Sequence, residues 1–372
     1  MAIIKRKPRY YSLRNILSKN AQYNIIIGER SNGKTYACLE YAIKQYTQNG
    51  KQTAILRRFI EDFKGRRGSS MFDALVSNGV IEKYTHGEWN NVYYYSSRWY
   101  LCRYDEKGNR VKDENPFCYG FALSTAEHDK STSYPNITTI VFDEFITRTL
   151  YLDDEFTIFS NTISTIIRQR ENVKIFMLGN TVNKYGCPYV DEMGLKHFKN
   201  MKQGDIDVYR YGETQLTVAV EYCKPNTEGK PNNYYFAFDN PKLSMITGGA
   251  WEIDIYPHLP QKYRPVDVAL HFYINYNVEW LHAEVVVMSE MTFIYIHPKT
   301  TPLSDYDKYN TLIYSPEFSP LPNWHRHINE PRDKITKKIF EYFITDRVFY
   351  SSNDVGEILR NYMIWCTKGD IL

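Results

Sequence analysis

The chain has 372 residues, enough for two or three domains. Apolar residues make up 43% and charged residues 24%, which excludes a disordered or collagen-like chain. Lys plus Arg number 46 against 43 Asp plus Glu, so the chain is no histone-like polycation, and a polyanion has to be met by a local patch.

Residues 1–20 carry Lys5, Arg6, Lys7, Arg9, Arg14 and Lys19 and no acid, which reads as a solvated tail or a polyanion-binding arm. No apolar h-region follows the initial Met, so no secretory signal is expected. Tyr23–Ile27 is a β-branched run ending at Gly28, the pattern of a buried strand feeding a turn. Ala37, Tyr41, Ala42 and Tyr46 recur at helical spacing from Lys34 to Gln48, and Gly50 closes that helix. Gln52–Phe59 is a second strand, and the β-loop-α-β order indicates a parallel sheet. Lys64, Arg66 and Arg67 then form a compact basic loop, suited to gripping a phosphodiester backbone or simply solvated.

Between Lys83 and Tyr119 the aromatic runs Val92–Tyr95 and Trp99–Tyr104, with turn residues over Asp105–Arg110, predict a β-hairpin insertion. Phe121–Leu123, Thr138–Phe142 and Lys174–Leu178 read as central strands, with a helix over Asp154–Arg170. Residues 187–250 are richer in Asn, Pro, Gly and Lys and are read as a linker module between a first domain (1–186) and a second (251–372). In the second, strands are expected over Trp251–Tyr256, Val266–Asn275, Glu284–Met288 and Phe293–His297, and helices over Lys334–Thr345 and Asp354–Cys366.

The six cysteines (Cys38, Cys102, Cys118, Cys187, Cys223, Cys366) show no CxxC pairing, which argues against a disulfide frame or zinc site and for a reducing compartment. The histidines offer no metal set by spacing; the closest pair, His325 and His327, lacks a second ligand pair. The longest apolar stretch, Ala283 to Ile296, is interrupted and too short for a bilayer, so a soluble intracellular protein without a membrane partner is expected.

Gly28, Glu29, Arg30, Ser31, Asn32, Gly33, Lys34 and Thr35 fit GxxxxGK[ST] between a predicted strand and a predicted helix. The glycines let backbone N–H groups wrap phosphate oxygens, Lys34 reaches the β- and γ-phosphates of ATP, and Thr35 meets Mg²⁺. Asp143 and Glu144 end an apolar strand. Asp143 suits the Mg²⁺ shell and Glu144 a base that aims water at the γ-phosphate. Asn180 ends the next strand, where a polar group senses that phosphate. Arg168 and Arg170 are candidates for an arginine finger offered to a neighbouring subunit. Arg57 and Arg58 are placed to face the nucleotide in cis, and spacing does not separate them.

Together GERSNGKT (28–35), FDEF (142–145), RQREN (168–172) and LGN (178–180) resemble the DNA-packaging ATPases of small podophages, the phi-29-like group of terminase-like motors. The resemblance covers roughly residues 20–185. It implies an α/β P-loop NTPase of the ASCE/RecA-like type carrying the hairpin insertion. The C-terminal α/β domain would resemble a vestigial RNase H-like nuclease that binds nucleic acid. It further implies a pentameric ring on the portal of a procapsid in the host cytoplasm, threading double-stranded DNA; a packaging RNA is left open. The finger would fall on Arg168, with Arg170 close behind. A cellular or plasmid helicase or partition ATPase, and a nucleotide-binding module without turnover, are the alternatives.

Overall fold

The computed structural model describes residues 11–30, 32–129, 132–147, 151–180, 187–212, 214–224, 256–259 and 262–368. Two compact units divide the chain, each with its own sheet.

The first unit is built on ten strands: β1 (Tyr23–Gly28), β2 (Gln52–Arg57), β3 (Asn91–Tyr95), β4 (Arg98–Tyr104), β5 (Arg110–Lys112), β6 (Cys118–Ala122), β7 (Ile137–Asp143), β8 (Lys174–Asn180), β9 (Ile206–Tyr211) and β10 (Leu216–Tyr222). Their order is β3-β4-β6-β2-β7-β8-β1-β10-β9, with β5 on β4. The run from β6 to β10 is parallel throughout, and β4 and β9 close its two sides antiparallel. β1, β2, β7 and β8 are buried almost end to end, as strands covered on both faces must be. One strand, β8, lies between the strand feeding the glycine loop and the strand ending in Asp143, so this is a mixed α/β P-loop fold of the expected kind.

Helix α1 (Lys34–Asn49) leaves the glycine loop, with left-handed Gly33 before it and left-handed Gly50 closing it. Helix α2 spans Glu155–Ile167, shorter than the expected Asp154–Arg170, because Arg168 and Gln169 turn left-handed (φ 42° and 65°). The hairpin insertion is present as β3, β4 and β5. The second strand ends at Arg57, not Phe59.

Two expectations are corrected. Arg66 and Arg67 stand on a short helical segment, Gly65–Ser69, with Lys64 just before it, and not in a loop. Trp99 Nε1 donates to the Gly68 carbonyl at 2.9 Å, Tyr94 donates to that of Phe63, and a Cβ on Gly68 would lie 2.5 Å from the Phe63 oxygen. That close approach, over the cluster of Phe63, Phe72, Trp99 and Phe117, ties the segment down. The first domain also does not stop at residue 186. β10 pairs with β1 over Tyr23–Ile27 and β9 with β10, so the supposed linker supplies two strands of the first sheet.

The second unit holds β11 (Val268–Tyr276), β12 (Glu279–Val287), β13 (Thr292–Pro298), β14 (Ile313–Tyr314), β15 (Trp324–His325) and β16 (Val348–Tyr350), in the order β15-β14-β11-β12-β13-β16. β11 to β13 form an antiparallel meander; β14, β15 and β16 add in parallel. Helix α3 (Lys334–Ile344) is capped by Asp333, which accepts from Ile335 and Thr336 N–H at 2.8 Å. It and helix α4 (Asn353–Lys368) cover one face, with Ile339, Tyr342, Ile358 and Tyr362 against Phe272, Ile274, Leu281, Ala283, Ile294 and Ile296. Strand alternation therefore turns His271, Tyr273, His282, Glu284, Tyr295 and His297 to the other face. The expected strand Trp251–Tyr256 lies outside the described residues but for Tyr256, as do Ser31 and residues 1–10 of the basic arm. Among the described residues no helix is long and apolar enough to cross a membrane.

Candidate active site

Strand register brings the site together. Gly28 pairs with Asn180, Asp143 with Leu178, and Leu56 with Phe142, so β1, β8, β7 and β2 all end at one edge. A cleft of about 550 Å³ opens there, lined by Arg30, Asn32, Gly33, Lys34, Thr35, Arg57, Asp143, Glu144 and Asn180. That volume is within the range of small-molecule sites, and the C-terminal edge of a parallel sheet is where such sites gather.

The glycine loop is tight. Gly33 has φ +91°, which favours glycine, and a Cβ on Gly28 would lie 2.9 Å from Asn32 Nδ2. Lys34 is 6% exposed. Its Nζ donates to the carbonyls of Gly28 (3.1 Å) and Glu29 (2.8 Å), to Asn32 Oδ1 (3.3 Å) and to Asn180 Oδ1 (3.3 Å). Burial pulls this ammonium below its ordinary pKa, against the nearby carboxylates of Asp143 and Glu29. A buried cation held mainly by neutral oxygens at a helix N-terminus fits a phosphate group. The Tyr11 N–H donates to the Asn32 carbonyl at 3.1 Å, so the second half of the basic segment 1–20 straps the loop. Glu29 meets Gln203 Nε2 at 3.0 Å, and Arg30 is exposed at the cleft mouth.

Thr35 Oγ1 donates to the Asp143 carboxylate at 3.2–3.3 Å. These paired oxygen donors are of the hard kind that Mg²⁺ takes, so the residues fit the cation. Arg57 spans the two acids: its Nη2 is 2.8 Å from Asp143 Oδ2 and its Nη1 3.0 Å from Glu144 Oε2. The Glu144 side chain is 63% exposed, and its backbone is left-handed at φ +63°, an uncommon state for a non-glycine residue.

Arg58 does something else. It grips the buried Glu155 carboxylate with two bonds (2.7 and 2.8 Å) and reaches the Glu144 and Phe145 carbonyls at 3.3 and 3.1 Å. Glu155 also accepts from Tyr189 at 2.8 Å. Glu155 and Tyr189 belong to no motif and were missed by the sequence reading; the acid opening a predicted helix was the available signal.

The remaining residues lie elsewhere. Lys64, Arg66 and Arg67 are exposed and do not line the cleft. Arg168, exposed, donates to the Thr132 carbonyl at 3.1 Å. Arg170 is spent on backbone carbonyls of Tyr134, Pro135, Ile137, Ile166 and Ile167. Ile137 begins β7 and Asp143 ends it, so Arg170 sits about 20 Å from the cleft edge at ~3.3 Å per residue.

The model of the podovirus DNA encapsidation protein (Gp16) family matches residues 5–79 and 104–196. The DNA packaging protein of Bacillus phage phi29 is 29% identical over 180 residues, which is 48% of this chain and 48% of that protein; that of Bacillus phage PZA gives the same figures. The chain thus spans about half the length of the curated relatives it matches. In fold it is similar to the structure titled the Phi-28 gp11 DNA packaging motor (19% identical, TM-score 0.55, covering 97% of this chain and 98% of that one). It is likewise similar to the bacteriophage Phi-29 viral genome packaging motor assembly (19%, TM-score 0.54, 96% and 98%). The stretches that match the encapsidation family contain Lys34, Thr35, Asp143 and Glu144, and nearly the whole chain shares its fold with phage packaging motors.

Proposed function

We propose that the chain is an ATP-hydrolysing motor that moves double-stranded viral DNA into a preformed procapsid in the host cytoplasm. The observation that carries this reading is the convergence of Lys34, Thr35, Asp143, Glu144 and Asn180 on one strand edge beside a glycine loop. Similarity to phage DNA packaging proteins supports the choice of DNA as cargo.

In this mechanism the loop amides and Lys34 hold the triphosphate, and Asn180, joined to Lys34 Nζ, couples β8 to the γ-phosphate position. Thr35 and Asp143 would hold Mg²⁺, which when bound neutralises charge on the phosphates. Glu144 orients and deprotonates the attacking water after leaving its pair with Arg57. Arg57 balances the two carboxylates until then. Arg168, exposed and not among the residues lining its own cleft, is the guanidinium assigned to a neighbour's site in a homomeric, pentameric ring on the portal; Arg170 is committed to its own backbone. The strand order of the second sheet, a meander followed by two parallel strands beside its first, supports a nuclease-derived domain. Asn275 and Ser315 are bonded to each other at 3.1 Å where β11 and β14 end, and this domain is proposed to bind nucleic acid without cleaving it.

Steady-state ATP hydrolysis with and without double-stranded DNA tests the reading. DNA is expected to raise the rate, and Lys34→Ala and Glu144→Gln to lower it by roughly 10²–10⁴-fold. Unchanged turnover in Glu144→Gln removes the base from the scheme, and a rate indifferent to DNA removes the motor. Packaging into purified procapsids separates this motor from a helicase or partition ATPase.

A further inference from the structure

We propose that His282, Glu284 and His297 form a binding site for one divalent transition metal of zinc's class on the face of the second sheet opposite α3 and α4. His282 and Glu284 are two apart on β12 and so share a face. The register of β13 sets His297 opposite His282. One ligand atom from each residue lies within 4.8 Å of the others. His297 Nε2 and Glu284 Oε2 are 3.6 Å apart. Two ligands of a tetrahedral zinc, each at about 2.0–2.1 Å, lie roughly 3.3 Å from one another. One edge of the triangle is therefore nearly at the required length, and rotation of side chains on a fixed backbone supplies the rest.

The surroundings orient these groups as outer partners of a metal site do. His297 Nδ1 lies 3.2 Å from the Pro298 carbonyl; donating there, it leaves the Nε2 lone pair to face Glu284. The Tyr263 hydroxyl donates to Glu284 Oε2. His282 Nε2 is screened from solvent and has no hydrogen-bond partner among the described residues, an arrangement a bound cation resolves. Two imidazoles and one carboxylate select zinc-like ions over Mg²⁺, which prefers oxygen and its own waters. Three protein ligands leave a fourth position for water or an incoming ligand. His271, its ring 5.4 Å from that of His282, stands beside it, with its Nε2 3.9 Å from Asp307.

The full-length chain, freed of any histidine tag and dialysed against chelator, is titrated with Zn²⁺ by calorimetry in excess Mg²⁺, with Co²⁺ absorption as the geometric readout. One tight site per chain and a tetrahedral Co²⁺ spectrum are expected. Lys34→Ala retains the site, so failure of the nucleotide reading would not mimic failure here. Tyr263→Phe weakens it about 10–100-fold, and His282→Ala or His297→Ala by more. His282→Gln and His297→Gln, closer in volume, replace the alanine variants if circular dichroism shows those unfolded. Absence of stoichiometric Zn²⁺ binding, or equal affinity in folded variants at positions 282 and 297, overturns the proposal.

Discussion

Arg57 and Arg58 are neighbours with opposite duties, and the reason is extended backbone. Successive side chains leave such a chain on opposite sides, so Arg57 enters the cleft while Arg58 turns to α2. Adjacent identical residues carry no mark of that alternation, which is why spacing could not divide them. The glycine loop and the acidic couple were readable because their chemistry is confined to short, contiguous runs. His282, Glu284 and His297 were not, since only the β12–β13 register joins them. Glu221 offers a test at this scale. Burial raises the pKa of its carboxyl, and the Tyr11 hydroxyl donates to it at 2.5 Å. The native state therefore holds this proton more tightly than the unfolded chain. That stabilisation is complete below the ordinary carboxyl pKa and is lost as pH rises through the raised value. Glu221→Gln keeps an acceptor for Tyr11 without ionising, so its Tm should gain on the parent between pH 5 and pH 8. A constant Tm difference across that interval would contradict the assignment.

Among the elements, the strands with unbroken apolar runs declared themselves, whereas β9 and β10 did not. Their neighbourhood is rich in Asn, Pro and Gly, and the partner that makes β10 a strand, β1, is nearly two hundred residues earlier. The basic segment at 64–67 misled for a similar reason: its anchors, Tyr94 and Trp99, come from the hairpin. The Arg58–Glu155 pair joins β2, α2 and the turn after β7, with side chains 7% and 0% exposed. Removing one member strands a buried charge, so Arg58→Ala should cost about 3–5 kcal/mol in denaturant unfolding. Its effect on turnover should follow, since the same guanidinium holds the Glu144 carbonyl. Arg168 and Arg170 should separate in the same assay. Arg170→Ala strips several carbonyls of their donor and lowers stability, while Arg168→Ala, which removes an exposed contact, leaves the unfolding midpoint near that of the parent.

For the whole molecule, the proposed ring makes each cleft depend on a neighbour. Rings mixed from Arg168→Ala and Glu144→Gln subunits should regain ATP hydrolysis at intermediate ratios, because some interfaces then carry one intact cleft and one intact arginine. Failure to recover activity at any ratio would speak against a trans role. With a net charge of only +3, the proposed motor would have to hold DNA through local lysines and arginines, so affinity is expected to fall steeply with salt and to ignore sequence.

The placement of β1 between β8 and β10 also bears on how the polypeptide is made. When the glycine loop leaves the ribosome, neither flanking partner has been synthesised, and the second arrives only with residues 216–222. At about 5–20 residues per second, the nascent segment carries an open hydrogen-bonding edge for some 10–40 s. A fragment cut at residue 186 would carry that edge permanently, which makes the end of β10 the earliest sensible place to truncate the gene.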